Sequence, residues 1–472
     1  MHHGEDDDEY DEEETQNNDA FTSIWDLVPG YTQSPLDGML EKADTTLEDV
    51  LDEDTLIQEL KSNNVKVVQF LARDNHIEQM IDYLITEDYK ETYEQPADKN
   101  EQDEIKRVFK YSYMICEIIN CEVDDVVNGI ISTKERIYKL FSYFNKRRPD
   151  LTPLNPSHSQ YFIKALCSIM QKHFKRIVTA IIEKQKEENI IQNVFVNNIG
   201  MCEMDSLVLK LMGYETNDDF DQDTYGAFAT QQRIRELFLA KQRGNDQERQ
   251  QKKRDIRQLL IDNHFIAALI KKLESDKDND QVHANVFAIL SEVVHKGRND
   301  MASDVLSQEN QSQIADVILR NSDTPVFIYG VPFIRTLIER LERSSEESEN
   351  ESDEDEEHSN QLEQAILLFG SRTKDFVDLL ITQPKLESIT TSHGTMDPPM
   401  GEMRLKVVEH LQTMFKIALE RFVQIRQELQ KLDVFNVLLD LFFKYEFNNI
   451  LHCHVFYIIQ MVMESKDPEL VQ

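Results

Sequence analysis

The sequence predicts an all-α protein, an irregular helical-repeat α-solenoid of HEAT/armadillo-like type with disordered acidic segments. Three observations carry this. From about residue 47 onward, apolar residues recur at steps of three and four in block after block. Sustained alternation of apolar and polar residues, the mark of half-buried strands, is scarce. Gly and Pro are few, 13 and 12 in 472 residues, and fall mostly between the blocks. Many consecutive short helices with apolar faces bury those faces by stacking on their neighbours. No clean period of ~40 residues stands out, so the repeats are irregular, and a bundle of separate helical domains is the alternative architecture.

Taken in order, residues 1–20 hold ten acids and no base, which predicts a disordered tail. Thr45-Thr46-Leu47-Glu48 reads as a capping box, a Thr at the N-cap with Glu48 reaching back from three residues on. Leu47, Val50, Leu51, Leu56, Ile57 and Leu60 follow mostly at helical spacing. Similar blocks lie near 65–86, 105–120, 123–131, 161–182, 190–212, 256–273, 282–296, 313–320, 326–341, 362–381 and 434–463. Between them, Leu405, Val408, Leu411, Met414, Phe415, Ala418, Leu419 and Phe422 keep the period over nearly five turns. Polar segments at 91–104, 214–252 and 342–361 break the pattern, the last as an acidic low-complexity loop inside the helical body. The organisation is therefore a tail (1–20), one helical body (21–465) interrupted at 214–252 and 342–361, and a short C-terminal tail (466–472). Removing 342–360 is expected to leave folding unchanged.

The formal net charge is −37, from 51 Lys and Arg against 88 Asp and Glu. Residues 1–20 and 342–357 together supply −19 of it, so the body is only moderately acidic. Such a balance argues against general nucleic-acid binding and against anionic membrane surfaces. No basic start with an apolar stretch follows the N-terminal Met, and no run approaches the ~20 apolar residues of a membrane span. Five widely spaced cysteines without C-x-x-C fit a reducing setting, cytoplasmic or nuclear.

Enzyme motifs are absent: no G-x-x-x-x-G-K-[ST], G-x-G-x-x-G, G-x-S-x-G or H-E-x-x-H occurs. No cofactor is implied and no catalytic residue stands out. His452-Cys453-His454 is the densest ligand cluster, but adjacent helical residues diverge by about 100°, which disfavours a shared ion. Cys116 and Cys121 fall on different helical faces and read as buried thiols. The basic stretch 241–257, with seven bases and three acids, reads as a solvated helix face rather than a receptor for acidic partners. Ser344, Ser345, Ser348 and Ser352 lie among acids, Glu351 and Asp355 standing three residues after Ser348 and Ser352, as an acid-directed kinase would recognise. An unmodified spacer is the equal alternative.

Seven segments, in order, resemble one family. Thr46 to Asp54 (TLEDVLDED) resembles "TLEELLDEDD" of the SAPS-domain proteins, regulatory subunits of the phosphatase 6 (Sit-four-like) catalytic subunit. Arg107 to Tyr111, continuing to Ile119 and Cys121-Glu122-Val123, resembles "RFKYPNIACEIL" and "CDV", with Ser112 standing where the family has Pro. Pro153-Leu154-Asn155-Pro156 and Tyr161-Phe162-Ile163-Lys164 resemble "PLNPLLASYFSK". Asn198-Ile199-Gly200 with Met204-Asp205-Ser206-Leu207 resembles "HIGTSALMDLLLRL", and Lys374-Asp375-Phe376 through Pro384-Lys385 resembles "LKDFHQLLLNPPK". Pro398 to Leu405 (PPMGEMRL) resembles "EPPLGNTRL". Leu438 to His452 resembles "LLDLFFKYPWNNFLH", the most specific of the set. The match runs colinearly over about 36–465, with 214–252 matching poorly.

The resemblance implies a non-catalytic helical scaffold that binds a phosphatase 6-type serine/threonine phosphatase catalytic subunit and modulates its activity or targeting. An ankyrin-repeat subunit often joins in that family. The metals and acid–base groups of phosphoryl hydrolysis would then belong to the partner. A solenoid adaptor unrelated to phosphatases is the alternative. Exposed loop segments offer candidate contacts: Pro153, Asn155 and Pro156, and Lys444, Tyr445, Asn448 and Asn449. Packing at helix junctions is the competing role for these residues.

Overall fold

A computed structural model describes residues 35–86, 106–145, 155–214, 246–297, 299–322, 324–346, 353–382, 386–391 and 394–465. Among them are 22 α-helices and one small hairpin, as the all-α expectation requires. The chain opens with α1 (Pro35–Leu40), α2 (Leu47–Leu51), α3 (Leu56–Lys61), α4 (Val65–Leu71) and α5 (Asp74–Ile85). A π-helical turn, Lys106–Tyr111, leads into α6 (Ser112–Asn120), α7 (Asp124–Ile130) and α8 (Lys134–Phe141). Then come α9 (Pro156–Gln185), a second π-helical turn (Ile191–Val196) and α10 (Met204–Met212). The middle is α11 (Asp246–Asp262), α12 (Phe265–Ser275), α13 (Asp280–Lys296), α14 (Asp300–Leu306), α15 (Gln308–Arg320) and α16 (Pro325–Glu346). The last part is α17 (Asp353–Ser371), α18 (Thr373–Ile381), β1 (Ile389–Thr391), β2 (Gly394–Met396), α19 (Glu402–Glu420), α20 (Val423–Lys431), α21 (Val434–Lys444) and α22 (Asn449–Ser465).

Packing follows chain order. In one row α6 meets α9, α9 meets α10, and α10, α13, α16, α19 and α22 each pack on the next. In the other, α12 packs on α15, α15 on α17 and α17 on α20. A helix thus finds its partners mostly two or three elements along, the nearest-neighbour logic of a solenoid. The core is continuous through both rows. In α19, Val407, Val408, Leu411, Met414, Phe415 and Ala418 are buried, while Leu405 and Leu419 are half-buried at the edges of the predicted stripe. Gly330 lies inside α16 because the helix passes so close to α15 and α13 that a Cβ would sit 2.5 Å from Ile318 Cγ1 and 3.0 Å from Phe287 Cζ.

The structure corrects several details. The capping box is one residue later than read: Thr46 Oγ1 accepts from Asp49 N at 3.2 Å, and the Asp49 carboxylate accepts from Thr46 N at 3.0 Å. The apolar face fixes this phase, since Leu47, Val50 and Leu51 must all point inward. Thr45 instead donates to Met39 O at 2.6 Å, and Glu48 accepts from the Tyr83 hydroxyl on α5.

Most of the supposed loop 342–361 is helix. α16 continues to Glu346 and α17 begins at Asp353, with Leu341, His358 and Leu362 buried. Glu342 pairs with Lys416 of α19 at 2.6 Å, so charged residues here also serve helix packing. The end of segment 214–252 likewise belongs to α11. The tail 1–20, the loop 91–104 and the tail 466–472 lie outside the described residues. The hairpin was not expected, because its strands are three residues long and its exposed residues show no alternation.

Candidate functional site

The segments that carry the family resemblance meet each other at helix junctions. The first and second meet where Lys110 Nζ donates to Asp52 Oδ1 at 2.8 Å. The second and third meet inside the core. His158 Nε2 lies 3.0 Å from Ser112 Oγ, Ser112 donates to Tyr83 O at 2.9 Å, and the Tyr143 hydroxyl lies 3.2 Å from His158 Nδ1. With Ser112 donating to the carbonyl, its oxygen is free to accept from His158 Nε2–H, which leaves Nδ1 to accept from Tyr143. In the fourth segment, Ile199 O and Met201 O accept from Asn285 Nδ2 on α13 at 2.7 and 2.8 Å. Phe376 of the fifth segment lies against His410 of α19, ring centroids 4.2 Å apart.

The sixth and seventh segments form the most developed junction. Arg404 of α19 is buried, its side chain donating from Nε to Met400 O at 2.8 Å and from Nη2 to Pro399 O at 2.9 Å. Nη2 also donates to the Tyr445 hydroxyl at 2.5 Å, and that hydroxyl donates to Pro398 O at 3.1 Å. Gly401, at φ +74°, supplies the turn that brings these carbonyls around the guanidinium. The planar fork of Arg suits three acceptors spread over a loop and a ring. This clasp ties the loop after β2 to the end of α21.

The candidate contacts sort accordingly. Asn155 caps α9, accepting from Ser157 N and His158 N at 3.0 and 3.1 Å, and Pro156 occupies the first helical turn, exposed. Pro153 lies outside the described residues. Tyr445 is buried in the clasp, and Asn448 Oδ1 accepts from Leu451 N at the start of α22. Lys444 and Asn449 are exposed, Lys444 Nζ lying 5.5 Å from the Tyr445 ring centroid. The structure does not gather these residues into one site: α9 packs with α6, α10 and α11, whereas α22 packs on α19 and α21.

Of the serines, Ser344 is half-buried on α16 and donates to Arg340 O and Leu341 O at 3.1 Å. Ser345 lies in the same helix, and Ser348 and Ser352 fall outside the described residues. The described part of the basic stretch lies on α11, where Arg257 donates to Met212 O at 3.0 Å and Lys175 pairs with Glu248 at 2.5 Å. Cys116 is buried, its thiol pushed up to about 12 by desolvation, while Cys121 is only partly covered. His452 stacks on Phe442 at 4.1 Å, His454 Nδ1 lies 2.5 Å from Gln412 Oε1, and Cys453 faces outward. The three side chains thus diverge, and among the described residues no group of His, Cys, Asp and Glu is placed to hold a metal ion. Sequence reasoning missed the exposed apolar residues of α21 and α22, because their density looks the same as a core pattern.

These features define a helical-repeat protein whose motif residues mostly hold successive helices together. The profile of the family SAPS, SIT4 phosphatase-associated protein, matches residues 168–424 and 422–469, and the chain belongs to this family. It is 23% identical over 450 residues to the chicken (Gallus gallus) serine/threonine-protein phosphatase 6 regulatory subunit 3, covering 92% of this chain and 45% of that protein. It is 26% identical over 438 residues to the human (Homo sapiens) regulatory subunit 2, covering 90% of this chain and 40% of that protein. The extragenic suppressor of kinetochore protein 1 of Schizosaccharomyces pombe is 27% identical over 198 residues, 41% of this chain and 22% of that protein. The chain therefore spans less than half the length of these relatives. No solved structure matches. Among the described residues no helix is long and apolar enough to cross a membrane.

Proposed function

We propose that the chain is a non-catalytic regulatory scaffold. It binds a phosphatase 6-type serine/threonine phosphatase catalytic subunit and modulates its activity or its choice of substrate. The carrying observation is the colinear similarity to phosphatase 6 regulatory subunits over about nine-tenths of the chain. The helical stack supports the reading, since such stacks present long surfaces to protein partners. By the same resemblance an ankyrin-repeat subunit joins the complex, while the cysteine usage fits a cytoplasmic or nuclear setting and the acidic charge balance fits neither nucleic acid nor membrane as a partner. The acid-flanked Ser344, Ser345, Ser348 and Ser352 are proposed acceptors for an acid-directed kinase, to be sought as phosphopeptides by mass spectrometry. Affinity purification of the chain tests the main reading. A co-purifying serine/threonine phosphatase catalytic subunit is expected, and its absence would leave an adaptor unrelated to phosphatases.

A further inference from the structure

Ser344 stands in the last turn of α16, two residues before the helix ends at Glu346. In Ser344-Ser345-Glu346-Glu347 an acid follows it by three residues, as acids follow Ser348 and Ser352. Its hydroxyl is half-buried and donates to Arg340 O and Leu341 O, both at 3.1 Å. A serine folded back on its own helix in this way adds a local tie to the turn. The two carbonyls lie toward the end where the helix dipole is negative, so the hydroxyl proton is what makes the contact attractive.

The same turn is held to α19 thinly. A cavity of about 460 Å³ opens between the ends of the two helices, walled by Ile338, Leu341, Ile417 and Phe422. The Glu342–Lys416 pair, 2.6 Å long, lines it and is the polar tie across it. Lys416 also feels Glu339 and Glu420, so the junction carries more carboxylates than it needs. A turn at a helix end, beside a cavity, belongs to the parts of a fold that open locally at low cost. Of the cations close by in sequence, Arg343 is engaged with His295 Nε2 of α13 at 2.6 Å, and Arg340 is buried, 5% exposed.

We propose that Ser344 is a phosphorylation switch for this junction: phosphate on its hydroxyl unwinds the last turn of α16 and releases Glu342 from Lys416. The inference rests on the reading of the acid-flanked serines as kinase acceptors and adds what the modification does. Ser344 Oγ attacks the γ-phosphorus of a nucleoside triphosphate held by the kinase. The new O–P bond replaces the bond to the departing diphosphate, and the hydroxyl proton passes to the kinase's base. Oγ then has nothing to donate to Arg340 O and Leu341 O. The phosphate sets a charge of about −1.5 to −2 against those carbonyls and the negative helix end. Glu342 in the same turn adds like charge. Pairing with Arg340 instead would draw a dianion beneath the helix, at a large desolvation cost.

The test compares the full chain carrying genetically encoded phosphoserine at 344 with the parent, by hydrogen exchange read by mass spectrometry. Amides within 338–346 should exchange at least about ten-fold faster, while those of α12 keep the parent's rate. Lys416 should acylate at least about two-fold faster, because its bond with Glu342 holds its pKa above the usual lysine value. Ser344→Ala loses the hydroxyl bonds without gaining charge, and should change exchange less than about two-fold. Unchanged exchange in the phosphorylated chain overturns the proposal, and so does slower exchange, which would mean that Arg340 receives the phosphate. An equal effect of Ser344→Ala overturns it too, since the hydroxyl alone would then hold the turn, as does acceleration spread equally over α12. Each of these leaves the kinase reading intact. Phosphopeptide analysis of the chain isolated from its own cells tests that reading: absence of phosphate at Ser344 there ends it, and the switch with it.

Discussion

His410 is buried on α19 against α18, its ring tilted at 39° to that of Phe376, and its Nε2 has no hydrogen-bond partner among the described residues. Burial pushes its pKa down from 6.5 to about 3. The unfolded chain therefore takes up a proton that the folded chain refuses, and this contribution to stability is complete above pH 6.5 and lost as pH falls toward 3. At pH 5 the loss from this residue is about 2 kcal/mol. Burial lowers His173, His283 and His454 in the same direction. Melting temperature should fall between pH 7 and pH 5, and His410→Leu should flatten part of that fall; an unchanged profile in the variant would contradict the assignment.

Arg404→Leu should cost about 2–4 kcal/mol by leaving two carbonyls and the Tyr445 hydroxyl without their donor, measured by urea unfolding. Arg404→Lys should recover only part of it, having no fork. Neither residue's role was legible beforehand: Tyr445 read as a candidate contact because it falls in an expected exposed loop segment, and Arg404 was simply one letter of a motif. Ser112, which stands where the family motif has Pro, belongs to a core hydrogen-bond network with Tyr83 and His158. Ser112→Ala should destabilise by about 1–3 kcal/mol through the buried His158 it leaves short of an acceptor.

At the scale of elements, the periodicity of three and four placed most helices, because each needs one buried stripe and the stripe is written in residue type. It placed their ends less well. α16 and α17 run into an acidic tract because a solvated face accepts any charge, so composition alone could not separate helix from loop there. The expectation for a deletion changes accordingly. Removing 347–352 should leave the melting temperature within about 2 °C, whereas removing 342–360 should lower it by several degrees, since it takes out the Glu342–Lys416 pair and buried His358. Thermal unfolding of the two deletions separates these cases. The hairpin could not have been read, because three-residue strands carry too little pattern. The exposed apolar residues were only half legible for a related reason: Phe443 and Leu441 are two residues apart and chemically alike, and only the fold shows that one faces outward and the other in.

For the whole molecule, the successive packing of α10, α13, α16, α19 and α22 has a consequence for synthesis. Among the described residues most helices meet partners two or three elements earlier in the chain, which keeps loop-closure costs small. The chain can settle in order as it leaves the ribosome, each new layer adding to a finished one, with translation supplying the sequence of assembly. Within the described stack, the layer of α22 therefore forms on the layers of α10, α13, α16 and α19 already in place.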